Sequence, residues 1–175
     1  MEYKADYTKI AAIPTSYSGV VFRSRLEARW AAFFDLCGWD WAYEPLLLDG
    51  WLPDFLIRTS ACDVLAEVKP IDLAQAWSDH KAGRPVSWPD YDKATKYGGE
   101  LPIILLGRDP TCLYGDDIIG LIVIDVSRAL AIAGCTLEEF NNSLRVEGHA
   151  GAKWLEAEDR VRGLPPRRHN IFPGL

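Results

Sequence analysis

Two short apolar segments of this chain carry charge where a buried strand should have none. In residues 51–58, Trp-Leu-Pro-Asp-Phe-Leu-Ile-Arg, the intruder is Asp54; in residues 64–70, Val-Leu-Ala-Glu-Val-Lys-Pro, it is Glu67 with Lys69 two places on. An ionised carboxylate taken out of water without a partner is costly, and charges that break a local pattern concentrate at functional sites. With a period of two, Leu52, Asp54 and Leu56 share one face of the first segment, and Leu65, Glu67 and Lys69 share one face of the second. Paired as neighbouring strands, the segments bring Asp54 beside Glu67 and Lys69. A further acid, Glu27, lies at the edge of the apolar stripe of an amphipathic segment, where a helix meets the sheet beneath it. A boundary glutamate with its head in solvent is the plain alternative. Clustered carboxylates repel one another, so either their pKa values rise or a cation neutralises them. Lys69 offsets one charge, and a divalent ion would offset the rest. Hard oxygen donors without His or Cys suit Mg²⁺ or Mn²⁺, not zinc. An ion so held, beside a lysine, is equipped for attack of water on a phosphodiester. A salt-bridge network without chemistry is the alternative for the same four residues.

The elements that must hold these residues follow from the patterning. Residues 1–18 are mixed, with turn formers at Pro14, Ser16 and Ser18, and Gly19 suits a turn before Val20-Val21-Phe22. A helix is expected from about residue 24 to 37, stopped by Gly38. Leu26, Trp30, Phe33, Phe34 and Cys37 fall in one stripe about 100° wide, which leaves Ala28, Arg29 and Asp35 to face water. Residues 39–43 read as an aromatic strand ended by Glu44-Pro45, with 46–48 as its continuation and Asp49-Gly50 as a hairpin signal. Strands over 52–58 and 64–69, joined by a turn, complete an antiparallel meander. Residues 71–91, which hold Trp77 and Trp88, suit a short helix and a loop. Such a loop either covers a site or packs its tryptophans back on the core. A helix over 90–97 ends at Gly98-Gly99, and buried strands follow over 102–106 and 116–125. The capping box Thr136-Leu-Glu-Glu139 opens a helix to about residue 144, and another spans 150–162. The prolines of residues 163–175 mark a loosely held tail.

Length, composition and charge bound the possibilities. At 175 residues, 49% hydrophobic and 25% charged, the chain suits one soluble domain over residues 1–165, with a core at about 17–125 and C-terminal helices at about 136–162. No apolar run approaches the roughly 20 residues that span a bilayer, so no membrane partner is expected. The first residues lack the basic-then-apolar layout of a secretory signal, which leads us to expect a cytoplasmic protein. Cys37, Cys62, Cys112 and Cys135 are scattered and form no CxxC pair, against a zinc site or a disulfide framework. His80, His149 and His169 have no metal-ligand spacing. A net charge of −6 argues against a passive nucleic-acid binder. It argues less against an enzyme whose acidic site is neutralised by metal.

Pro53-Asp54 followed by Glu67-Val68-Lys69, with a helical Glu27 upstream, resembles the signature of the PD-(D/E)XK nuclease superfamily. The run Phe22-Arg23-Ser24-Arg25-Leu26-Glu27-Ala28-Arg29-Trp30-Ala31, then Tyr43-Glu44-Pro45, then Leu52-Pro53-Asp54-Phe55, is similar to small phage- and bacteria-encoded members. Its pattern is also similar to endonuclease subunits of two-component transposases and to archaeal Holliday-junction resolvases. The resemblance covers about residues 17–106. It implies an α/β fold with a restriction-endonuclease-like core, a central mixed β-sheet flanked by helices. It implies a Mg²⁺-dependent nuclease, Mn²⁺ able to substitute, that hydrolyses DNA phosphodiester bonds as an endonuclease. By position, Asp54 and Glu67 would be metal ligands joined by the main-chain carbonyl of Val68. Lys69 would be the catalytic lysine, and Glu27 would ligate metal directly, through water or at a second metal position.

Arg23, Arg25, Lys93, Lys96 and Tyr97 are the candidate substrate contacts, and Glu44 is a further candidate near the site. Exonuclease-type members carry Gln-x-x-x-Tyr on the second helix, and the comparable Lys93-Ala-Thr-Lys96-Tyr97 departs from it. Lys93 and Lys96 would meet a DNA phosphate or form a solvated helix face. DNA is the expected partner, with a homodimer or a protein that supplies DNA targeting as further possibilities. A non-catalytic nuclease-fold protein that binds nucleic acid or a protein partner is the alternative function.

Overall fold

The computed structural model describes residues 12–48, 50–86, 100–112, 118–122 and 127–165. The expected helix at 90–97, with Lys93, Lys96 and Tyr97, lies outside these residues, as do Trp88 and the tail from 166 on. Strands β1 (Thr15–Tyr17) and β2 (Val20–Phe22) form an antiparallel hairpin that turns at Ser18-Gly19, both at positive φ. Helix α1 (Arg25–Cys37) follows at once. A five-stranded sheet then runs in the order β3 (Asp40–Tyr43), β4 (Phe55–Arg58), β5 (Asp63–Val68), β6 (Ile103–Leu106) and β7 (Leu121–Ile122). The first three strands form the expected antiparallel meander. The β5–β6 pair is parallel, and β7 returns antiparallel to β6. The sheet is therefore mixed, and a parallel pair needs a crossover connection; α2 (Leu73–Lys81) lies within it. Helices α3 (Ser127–Ala133), α4 (Leu137–Ser143) and α5 (Ala150–Val161) complete the described chain.

The sheet buries apolar residues on both faces. Phe55, Ile57, Val64, Ala66, Val68, Ile104 and Leu106 pack with the α1 aromatics Trp30, Phe33 and Phe34 and with Trp154 of α5. Leu65, Ile103 and Leu105 point the other way, against Leu73 of α2 and Trp51. This is an α/β architecture, a mixed sheet flanked by helices. Both ends of α1 are specified locally. Ser24 accepts the Glu27 N–H at the start, and Gly38, at φ 72°, ends the helix in the left-handed region a side chain disfavours. The capping box of α4 forms as read, with Thr136 and Glu139 satisfying each other's backbone N–H. Among the described residues, no helix is long and apolar enough to cross a membrane.

The structure corrects several local expectations. Ala28 does not face water: it is fully buried with Ala31 and Ala32. Arg29 is half-buried, donates to the Trp154 carbonyl at 2.9 and 3.1 Å and lies 4.0 Å over the Trp154 ring. Helix α5 lies along this side of α1, and small side chains let it approach. A pattern in α1 alone gives no sign of a helix more than a hundred residues away. The strand expected at 52–58 begins only at Phe55, because Pro53 has no N–H for the ladder and the Asp54 side chain bonds Val68 instead. Residues 46–48 do not extend β3. The chain leaves the sheet at Glu44, at φ 44°, and closes a tight turn through reciprocal Leu48–Trp51 hydrogen bonds of 2.8 Å. Within 116–125 the described strand is only Leu121–Ile122, and α3 was not foreseen. The fold also brings two of the scattered cysteines together: burial, then a bond to Cys135, pushes the Cys62 thiol up to about 12. Among the described residues, the four cysteines form no disulfide.

Candidate active site

The β4–β5 register pairs Phe55 with Ala66, so Asp54, one residue before β4, falls opposite Glu67. Both lie at the end of the sheet where β5 runs out beside β6, the C-terminal end of the parallel pair, which in α/β sheets is the usual place for a ligand crevice. Asp54 is 2% and Glu67 7% exposed. Asp54 Oδ2 accepts the Val68 N–H at 2.7 Å, so the carboxylate takes the place that a further β4 residue would have filled in the ladder. The Val68 carbonyl points to the same side as its N–H, as strand geometry requires. Glu67 Oε1 pairs with Lys69 Nζ at 2.8 Å, and Oε2 accepts the indole N–H of Trp51 at 3.1 Å. Strand alternation, which predicted Glu67 and Lys69 on one face, holds here.

Glu27 is 8% exposed and comes from the first turn of α1, where the helix dipole favours an anion. Its Oε1 accepts the Ser24 hydroxyl at 2.7 Å. Its Oε2 accepts the Tyr43 hydroxyl at 2.6 Å and the Arg23 N–H at 3.2 Å. The sequence Ser24-Arg25-Leu26-Glu27 has capping-box spacing, a signal the sequence reading left unused. Here the glutamate reaches past the usual partner to the residue before the cap. Burial, and then the bond to Glu27, push the Tyr43 hydroxyl up to about 12, so it donates a proton to the cluster at any ordinary pH.

Arg23, the candidate substrate contact, also pairs with two acids of the cluster. Its Nη2 is 2.5 Å from Asp54 Oδ1 and its Nε is 2.8 Å from Glu44 Oε1, while the side chain stays 57% exposed. Glu44, the additional candidate, is thereby part of the cluster, aimed there by its left-handed backbone. Such a conformation costs of order 1 kcal/mol or more in a residue other than glycine. Arg25 is exposed at the start of α1. No family model, no curated protein and no solved structure matches this chain.

Four carboxylates, Glu27, Glu44, Asp54 and Glu67, face two cations, Arg23 and Lys69, which leaves negative charge unbalanced. Burial, then the charges of Glu67 and Glu27, push Asp54 up to about 7, against the Val68 N–H and Lys69. Arg23 opposes the rise too, but from a largely exposed side chain whose charge water screens. Among the described residues, no three His, Cys, Asp or Glu side chains converge closely enough to hold a metal ion as they stand. Arg23 occupies one oxygen each of Asp54 and Glu44, and Lys69 one oxygen of Glu67. The donors available once such a contact opens are Asp54, Glu67 and the Val68 carbonyl, with Glu27 beyond. All are hard oxygens, a set suited to Mg²⁺ or Mn²⁺. Trp51, Tyr43 and Ser24 were missed as site residues. Trp51 joins only through the turn after Leu48, and no spacing in the sequence ties it to Glu67.

Proposed function

We propose that this protein is a Mg²⁺- or Mn²⁺-dependent nuclease that hydrolyses DNA phosphodiester bonds as an endonuclease, on a core of the restriction-endonuclease-like type. The observation that carries this reading is the buried Asp54–Glu67 pair on adjacent strands, with Lys69 on Glu67 and an excess of negative charge over the two local cations. Asp54, Glu67 and the Val68 carbonyl would hold the ion, with Glu27 at its flank. When bound, it supplies Lewis acidity and balances charge that builds on the phosphate. Trp51 and Val68 fix the two acids in rotation, and fixed donors cost no reorganisation during reaction. Lys69, half-buried beside Glu67, holds the attacking water and offsets charge in the transition state. The water oxygen joins phosphorus, the bond to one ester oxygen breaks, and that oxygen leaves with a proton.

The test is incubation with single-stranded, duplex and branched DNA in the presence of Mg²⁺ or Mn²⁺. Cleavage is expected from the native chain and lost, by two orders of magnitude or more, in Asp54→Asn and Lys69→Ala, on the scale typical of such groups. Undiminished cleavage in either variant overturns the assignment.

One observation favours a second reading, a non-catalytic protein of this fold that binds nucleic acid or a protein: each buried acid already has partners inside the chain. Calorimetry separates the two. Heat of Mg²⁺ binding that vanishes in Asp54→Asn supports the nuclease, and no heat supports the binder. The net charge of −6 also fits a nuclease subunit whose partner supplies affinity for DNA phosphates, and cleavage that appears only on adding a native partner would identify that case.

A further inference from the structure

One cation touches acids from three separate elements. Arg23 Nη2 meets Asp54 Oδ1 ahead of β4, at 2.5 Å. Its Nε meets Glu44 Oε1 after β3, at 2.8 Å, and lies 4.0 Å from Glu27 Oε2 on α1. The arginine itself follows β2 and stays 57% exposed, so its fork can move without opening the core. Lys69, by contrast, is largely covered and tied to Glu67 on its own strand.

A divalent ion and a guanidinium held on Asp54 Oδ1 repel each other, so arrival of the ion weakens the contact to Arg23. The Nε contact to Glu44 does not involve that oxygen. Arg23 can therefore let go of Asp54 while Glu44 still holds it, with Glu44 as the pivot. The guanidinium so released carries donors in a planar fork that matches a phosphate, and it lies at the mouth of the site.

We infer that Arg23 is an exchangeable counter-cation of the acid cluster, and this rests on the nuclease reading above. Without a divalent ion it neutralises Asp54. When the ion is bound it gives Asp54 up, turns about Glu44 and binds a non-bridging oxygen of the substrate phosphodiester.

The experiment compares the native chain with Arg23→Ala by thermal melting and by calorimetry with Mg²⁺, in the absence of DNA. In EDTA, Arg23→Ala should melt lower, because Asp54 has lost its counter-charge. At saturating Mg²⁺ the difference should shrink to the share of the retained Glu44 contact, because the native chain has also given up the contact to Asp54. Arg23→Ala should bind Mg²⁺ roughly tenfold more tightly, the scale of one lost charged hydrogen bond. In a Lys69→Ala background, which is meant to bind without cutting, Arg23→Ala should weaken binding of a short duplex in Mg²⁺ and leave it unchanged in EDTA. Should Arg23→Ala fail to fold, Arg23→Gln, neutral and similar in reach, carries the same comparison. Mg²⁺ binding with equal affinity in both chains, and a melting difference that persists undiminished in Mg²⁺, would make Arg23 a fixed structural ion pair and overturn the inference while the nuclease reading stands. Absence of Mg²⁺ binding in the native chain would overturn both.

Discussion

Asp54→Asn should make the folded protein more stable at alkaline pH, and the size of the gain follows from the site. Burial and the neighbouring acids raise Asp54 from 3.8 to about 7. A difference of about three units corresponds to roughly 4 kcal/mol that the ionised form loses on folding. Asparagine avoids that cost. Its Oδ1 still accepts the Val68 N–H that Asp54 Oδ2 now accepts at 2.7 Å, but it forfeits the ion pair with Arg23. That pair is screened on the arginine side, so the net gain should be about 2 kcal/mol, or roughly 4–8 °C in Tm for a chain of this length. The direction with pH decides the matter. A carboxyl whose folded pKa lies above its unfolded value binds its proton more tightly in the native state. The native chain therefore loses stability through Asp54 as pH rises from about 4 to about 7. Asp54→Asn lacks that loss, so its advantage should be full at pH 8 and absent near pH 4. The assay is thermal or urea unfolding of both chains in EDTA at those two values, read as the difference between them. An Asp54→Asn chain less stable than the native one by the same amount at both pH values would refute the reasoning. The contacts to Val68 and Arg23 would then outweigh burial, and Asp54 would be an anchor of the fold.

Two further outcomes follow from the same contacts. On the proposed nuclease reading, Mg²⁺ affinity measured by calorimetry should fall about tenfold for each unit of pH below 7, because the ion would have to displace the Asp54 proton, and cleavage should fall with it; full affinity at pH 5 would contradict Asp54 as the proposed ligand. Trp51→Phe keeps the apolar packing of a side chain 4% exposed but removes the indole N–H from Glu67 Oε2. It should cost about 1–3 kcal/mol in stability and lower Mg²⁺ affinity, and an unchanged Mg²⁺ affinity would show that Trp51 does not orient Glu67.

Much of the scaffold was legible because it is written locally. The α1 stripe with its Ser24 and Gly38 ends, the alternation of β4 and β5, and the Thr136-Glu139 capping box each depend on residues a few positions apart. The antiparallel meander was legible as well, since short turns leave consecutive strands few ways to pair. So Asp54, Glu67 and Lys69 fell together as the period of two requires. The buried faces of α1 were only half visible. Ala28, Ala31 and Ala32 are silent in a hydrophobic pattern, and only the arrival of α5 shows why they are small.

What the sequence alone determined is which groups can do chemistry and which strands carry them, because type and spacing are properties of the chain. How those groups are held was decided by the tertiary structure. Arg23 reads as a candidate substrate contact, and becomes the partner of Asp54 and Glu44 because β2 and β3 end, and β4 begins, at one place. Trp51 carries no site signal in the sequence, and becomes a donor to Glu67 because the turn after Leu48 folds it back. Charge neutrality inside a protein is settled among neighbours in space, from whatever segments the fold brings within a few ångströms, and no periodicity along the chain encodes that.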